Sequence, residues 1–248
     1  MNFESTAVII EARYSATRLP GKVMMDICGQ PLLKRLIDRI KLSKKDLDII
    51  LATSTNPADQ QIVNLAIAEN INFFRGSEND VLGRVTKAAK KFKVKTVINV
   101  CGDCPLIDPG IIDTGLEVYT KKINDIVFCG FNAQSYPQGT ELAIYGSELL
   151  FKIEKKAKDP EFREHTCLYF LKNLDDFKIL NLVADNFNTM PELRLQVDFM
   201  QDLMLVREIY KRLLPKFGNK FTISDVINLI KKNYFLTRIN EDCVEKKA

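Results

Sequence analysis

Short unbroken apolar runs alternate along this chain with segments whose apolar residues recur at helical spacing. Val8 to Ile10 form the first run, and Leu32, Leu33, Leu36, Ile37 and Ile40 then repeat every three or four positions. Asp48–Ala52 reads as a second strand, and Pro57 opens a second helix carrying Ile62, Val63, Leu65 and Ala66. A strand ending at Phe74, a helix over about Asp80 to Phe92, a strand over Thr96–Val100, a helix begun by Asp108-Pro109 and a fifth strand "DIVFC" continue the alternation. Continuous apolar strands are buried on both faces, so the pattern predicts an α/β fold: a mostly parallel central sheet between two helical layers.

The second half is less regular. Glu141–Tyr145 reads as a strand, Ser147–Lys158 and Phe162–Asn173 as helices, and Phe177–Val183 and Leu193–Val197 as strands. Two helices follow, the last capped by Thr222 or Ser224. No repeat or linker divides the chain. It reads as a single domain over 1–248, in which 131–185 is the stretch least explained by the alternation.

The length, 248 residues, and 46% apolar content suit one large core. No apolar run is long enough to span a bilayer, and no basic segment followed by an apolar stretch marks a leader, so a cytoplasmic protein without membrane contact is expected. Six scattered cysteines read as reduced thiols; Cys101 and Cys104 form a C-x-x-C, but the single histidine, His165, leaves a zinc site short of ligands. A net charge of +4 without a dense basic stripe gives no reason to expect nucleic acid as a partner.

Parallel sheets bind ligands beyond the carboxyl ends of their strands, which directs attention to the loops at 13–22, 53–56, 75–84 and 101–108. The first, in "IIEARYSATRLPGK", carries Arg13, Arg18 and Lys22 around a Pro20-Gly21 turn. Such a loop is either a solvated basic surface or a grip for a polyphosphate, which arginine binds in pairs and lysine as a point charge. It is neither a P-loop nor a dinucleotide fingerprint, since both glycine patterns are absent. Asp103 follows the Thr96–Val100 run, where it reads as a magnesium ligand or as a turn-capping aspartate. Asp198, after "LRLQV", reads equally as a second metal ligand or a helix N-cap, and Asp202 as a first-turn residue that favours the helix dipole. His165 reads as an anion contact at a helix start or as a purely structural histidine.

Together "IIEARYSATRLPGK", "FRGSENDVLGR", "VINVCGDCPLIDP", "SYPQGTE", "FREHT" and "LRLQVDFMQDL" resemble, in order and spacing, the spore coat polysaccharide cytidylyltransferase family, whose relatives activate Kdo and sialic-type sugars with CTP. The resemblance covers about residues 6 to 212. It implies a nucleotide-diphospho-sugar-transferase-like domain and Mg²⁺-dependent transfer of CMP from CTP to an acidic sugar or phosphorylated small molecule, with pyrophosphate released. By this resemblance Arg13, Arg18 and Lys22 match triphosphate positions, Asp103 and Asp198 the metal positions, and Arg75, Arg84 and Cys101 the nucleotide site. Arg13, Lys22, Asp103 and Asp198 are the expected catalytic set. Tyr136, Glu141, Arg163 and His165 match the acceptor side. A homodimer is expected, with 131–185 supplying acceptor contacts and dimer surface. The chain departs from the family's pattern at Glu11, where Gln is usual, at Ala16, at Phe199-Met200-Gln201 in place of Thr-Pro-Glu, and at Cys101, where Kdo-activating relatives carry Gln. These changes bear on base and acceptor choice more than on reaction type. Two other classes fit the same sheet: a sugar-nucleotide-using glycosyltransferase, although "GDC" lacks the second acid of an Asp-x-Asp motif, and a non-catalytic nucleotide-binding homologue.

Overall fold

A computed structural model describes residues 3–121, 123–131 and 134–243. The elements in chain order are β1 (Ser5–Glu11), β2 (Asp26–Ile27), β3 (Gln30–Pro31), α1 (Leu32–Ile40), β4 (Asp48–Ser54), α2 (Gln60–Ala68), β5 (Asn72–Gly76), α3 (Val81–Lys91) and β6 (Val94–Cys101). They continue with α4 (Pro109–Thr120), β7 (Ile126–Cys129), β8 (Leu142–Gly146), α5 (Ser147–Lys156), α6 (Pro160–Glu164), α7 (Leu168–Lys172), β9 (Ile179–Leu182), α8 (Met200–Phe217) and α9 (Ile223–Lys232).

Seven strands form one sheet in the order β5-β4-β1-β6-β8-β7-β9. The first four run parallel, as the alternation predicts. β8 is inserted antiparallel between β6 and β7, while β9 is parallel to β7. Apolar continuity marks burial on both faces but carries no strand direction, so this reversal is invisible in the pattern. Along β1, Val8 and Ile10 enter one core with α1, α2, α4, α8 and α9, while Ala7 and Ile9 enter a second with α3, α5 and α7. Helices therefore cover both faces.

Local chemistry sets the helix starts. Asp108 accepts from the Gly110 N–H at 2.7 Å with Pro109 in the first turn, and Thr222, of the two candidates, caps α9. Two expectations need correction. The segment Phe162–Asn173 is not one helix: α6 ends at Glu164, and His165, Thr166 and Cys167 separate it from α7, because the Thr166 hydroxyl turns inward to the Glu11 carboxylate. Leu193–Val197 is not a sheet strand. It makes a single bridge, Arg194 to Gln138, although its alternating Leu193, Leu195 and Val197 are buried. Its polar backbone is satisfied by loops instead: the Gln138 N–H donates to Leu193 O at 2.9 Å, and the Val197 N–H to Asp103 O at 2.9 Å.

Candidate active site

The last of those bonds builds the site. It docks the chain before α8 onto the turn after β6, placing Asp198 beside Asp103 although no sheet strand carries Asp198. Asp103 is positioned by Gly102, whose N–H donates to Glu11 O at 2.8 Å; a Cβ there would stand 2.7 Å from that oxygen, so only glycine allows the approach. The first loop is folded by Gly21, at φ +74, which packs on the Tyr14 ring and donates its N–H to Tyr14 O at 2.7 Å. Tyr14 is held in turn by Asp59, a buried carboxylate that accepts from the Tyr14 N–H and from Thr53 and Ser54 at the end of β4. Lys22 is thereby aimed across the strand ends.

The Lys22 ammonium lies 2.6 Å from Asp103 Oδ2 and 2.8 Å from Asp198 Oδ1. Arg18 reaches Asp198 Oδ1 at 2.9 Å over the Phe199 ring, and Arg194 reaches Asp198 Oδ2 at 2.7 Å. Burial alone would lower the pKa of Lys22, but Asp103 and Asp198 outweigh it and hold the ammonium above the ordinary lysine value. Burial alone would raise that of Asp198, but Lys22, Arg18 and Arg194 hold it below the usual carboxylate range. Lys22 is therefore charged and Asp198 ionised at neutral pH.

Arg18, Lys22, Asp103 and Asp198 line a cavity of about 350 Å³ together with Glu11, Arg13, Arg84, Cys101, Glu164 and His165. Arg13 is held only loosely, at 3.5 Å from Glu78 O and 3.4 Å from Glu164, so its guanidinium is available. Arg84 is buried, donates from Nη1 to Ser77 O at 2.6 Å, and has no partner in the structure for its Nε. His165 is exposed at the break between α6 and α7, not at a helix start.

Four residues matched to the site through the family resemblance lie elsewhere. Arg75 ties the ends of β4 and β5, donating to Ser54 O, Asn56 O and Gln60. Arg163 is clasped by Asp80 at 2.6 Å and by Glu154, outside the cavity. Tyr136 packs against the core, and Glu141 accepts the Gly139 N–H; neither lines the cavity.

Two carboxylates that converge on one ammonium can converge on one divalent ion, and hard-oxygen donors in that number suit Mg²⁺ shared with substrate phosphates. Among the described residues no cluster of three or more acidic, histidine or cysteine ligands forms a closed cage, so phosphate oxygens would complete the shell.

The sequence pattern of the cytidylyltransferase family matches residues 7–236 of this chain. The chain belongs to the cytidylyltransferase family. It is a CTP-dependent nucleotidyltransferase. It is 32% identical to an uncharacterised protein of Methanocaldococcus jannaschii, over 96% of this chain and 95% of that one. It is 29% identical to the spore coat polysaccharide biosynthesis protein SpsF of Bacillus subtilis, over 91% and 93%. The solved structure of a cytidylyltransferase from Leptospira borgpetersenii superposes with a TM-score of 0.89 at 25% identity, covering 98% of this chain and 99% of that one.

In this cytidylyltransferase the residues missed at the level of sequence stand behind the site. Arg194 is buried and held by Asp202, whose Oδ1 also accepts from Asn240 at 2.8 Å. Asp202 Oδ2 accepts the N–H groups of Asp198 and Phe199, both at 2.9 Å. Asp202 is therefore more than a first-turn acid: it is the buried hub that fixes Asp198. The i, i+4 spacing of Arg194 and Asp198 was the available signal, masked because the segment read as a strand. Glu11 accepts from Asn99 at 2.8 Å and from Thr166, which pins the His165 segment against β1.

Proposed function

We propose that this cytidylyltransferase moves CMP from CTP to a hydroxyl of an anionic sugar-like acceptor, an acid sugar or a phosphorylated small molecule, releasing pyrophosphate, in surface polysaccharide or glycan assembly. The observation that carries the reading is the meeting of Arg18, Lys22, Asp103 and Asp198 in one cavity beyond the strand ends. The similarity to a spore coat polysaccharide biosynthesis protein supports the pathway class.

The acceptor oxygen attacks the α-phosphorus and pyrophosphate leaves in line, a reaction that needs charge neutralisation and alignment more than a strong base. Arg13, Arg18 and Lys22 bind the triphosphate and neutralise the leaving pyrophosphate. Asp103 and Asp198 would hold Mg²⁺, which when bound supplies Lewis-acid polarisation of the α-phosphate. Arg194 and Asp202 keep Asp198 in place. Arg84 and Cys101 line the nucleotide side, and a preference for cytosine over uracil would rest on backbone groups and the 75–84 segment, since Cys101 lacks an amide. Since Arg163 is already paired, His165 is the group left to meet the acceptor's anion at the mouth. We assign the 131–185 stretch to acceptor contacts and a homodimer surface; residues 132 and 133 within it lie outside the described residues.

The test is incubation with CTP, Mg²⁺ and a panel of acid and phosphorylated sugars, reading pyrophosphate and the mass of a CMP conjugate. Formation of both products by the wild type, and not by Asp103→Asn, is expected. Pyrophosphate release without a conjugate, or no release with any acceptor, counts against it. Equal turnover with UTP would remove the base preference, and a monomer by light scattering would remove the dimer.

A further inference from the structure

The one ammonium in the cavity occupies the place where the two carboxylates meet. We infer that Lys22 is the free enzyme's own counter-ion at the Asp103–Asp198 site: it keeps a divalent cation out until a nucleotide's phosphates draw the ammonium away.

Three features carry the inference. The first is steric. A magnesium-sized ion needs its carboxylate oxygens at about 2.1 Å. Asp103 Oδ2 and Asp198 Oδ1 are the oxygens already on the Lys22 nitrogen at 2.6 and 2.8 Å, so ammonium and metal compete for the same pair.

The second is charge. Lys22, Arg18 and Arg194 face Asp103, Asp198 and Asp202 in one contiguous network. Among these six side chains three cations face three carboxylates, so their formal charges balance. A divalent ion entering alone would leave a partly buried excess of two positive charges, which is unfavourable away from bulk water. A triphosphate entering with it restores the balance.

The third is freedom to move. Arg194 is gripped from behind by Asp202, with Asn240 supporting that carboxylate, so it is fixed. Among the described residues the hydrogen bonds of the Lys22 ammonium go to Asp103 and Asp198 alone, and it lines the cavity at the end of a flexible four-carbon stem. Of the cations on Asp198, Lys22 is the buried one able to leave for a phosphate without breaking a second anchor. Lys22 then has two successive partners, and metal loading is made conditional on nucleotide.

The nucleotide arm of this inference rests on the cytidylyltransferase reading; the metal arm does not, and the experiment separates them. Mn²⁺ is titrated into the full chain without nucleotide, and free Mn²⁺ is read by electron paramagnetic resonance. Lys22→Met should bind Mn²⁺ at least about tenfold more tightly than wild type, because one charge a few ångströms away has been removed. Adding Asp103→Asn to Lys22→Met should abolish the gain. Wild type should take up Mn²⁺ once CTP is added, lowering free Mn²⁺ below the level set by the same CTP without protein. Equal Mn²⁺ affinity of nucleotide-free wild type and folded Lys22→Met overturns the inference. So does a gain that survives Asp103→Asn. If Lys22→Met does not fold, thermal unfolding of wild type decides: Mn²⁺ alone should leave the midpoint unmoved and Mn²⁺ with CTP should raise it, whereas stabilisation by Mn²⁺ alone overturns the inference. Failure of wild type to bind CTP at all would strike the cytidylyltransferase reading and leave the nucleotide-free comparison to judge Lys22.

Discussion

Replacing Asp202 by Asn changes one atom and should damage both stability and turnover. The carboxylate is fully buried and takes four N–H donors: the Asp198 and Phe199 N–H groups on Oδ2, and Arg194 Nε and Asn240 Nδ2 on Oδ1. Asparagine has one acceptor oxygen. If that oxygen faces the backbone N–H groups, its amide nitrogen confronts Arg194 and Asn240; turned the other way, it confronts the backbone. Either way two donors lose their acceptor, and the buried Arg194 charge loses a carboxylate partner. Breaking a buried pair from one side costs about 3 kcal/mol at the low end. For a chain of this size that is a fall of roughly 6–12 °C in unfolding midpoint. Turnover at saturating CTP and metal should fall about 10- to 100-fold, since Asp198 loses the anchor on its own N–H and small misplacements are expensive in catalysis. The assay is calorimetry and pyrophosphate release on Asp202→Asn, Arg194→Met and the double variant. The double variant should be little worse than Asp202→Asn, because removing the guanidinium removes the orphaned charge; a coupling of at least about 1 kcal/mol is expected for residues in one network. A midpoint for Asp202→Asn within about 2 °C of wild type, or strictly additive single effects, would refute the reasoning.

Asp103→Asn should fold normally and lose at least about 10²-fold in turnover, the scale of losing one transition-state charge stabiliser; near-normal kinetics would remove it from the site. Arg18→Ala should weaken CTP binding by roughly 1.5–3 kcal/mol in isothermal titration, with little loss of stability because the side chain is partly exposed. Glu11→Gln retains an acceptor for Asn99 and Thr166 and should shift stability by less than about 1 kcal/mol, whereas Thr166→Val should release the His165 segment and raise the acceptor KM without changing CTP affinity. The carboxyl of Asp80 would be raised by burial, but Arg163 and the Gly83 N–H hold it below its ordinary value. Its contribution is therefore present above the unfolded pKa near 3.9 and fades as pH falls through the lower folded value. Urea midpoints should show wild type losing more stability than Asp80→Asn between about pH 5 and 2, by under about 1 kcal/mol for a pair that keeps part of its surface in water.

Much of this was legible in the chain itself. Continuous apolar runs placed the first five α/β-type strands, because burial on both faces leaves a compositional trace, and the cationic loop stood out because charge at a strand end needs a reason. What stayed hidden depended on long-range backbone contacts. The meeting of Asp103 with Asp198 is made by the Val197 N–H on Asp103 O, which no local pattern records. Alternation in Leu193–Val197 signalled one buried face, correctly, but burial does not distinguish a sheet strand from an extended segment packed on loops. Arg75 and Arg163 show the other side of this: arginines on the expected segments that nearby carbonyls and carboxylates hold in ties outside the cavity lining. Charge type was readable from sequence, but the partner that claims each charge was not.

The reversed strand β8 sets a schedule for folding. β7 emerges before β8, yet its only neighbours are β8 and β9, and the free side of β6 is filled by β8 alone. The parallel group β5-β4-β1-β6 can assemble as its strands appear, but it must wait with an open apolar edge until the chain through Gly146 has been made. An uncovered edge of that kind invites pairing with another chain, and closing a distant contact is slow. Nascent chains stalled between Cys129 and Leu142 should therefore pair and aggregate through the β6 edge, and those extended past Gly146 should lose that route. The commitment step in refolding should carry the signature of β8 docking, with substitutions at Ala143 or Ile144 slowing folding rather than speeding unfolding.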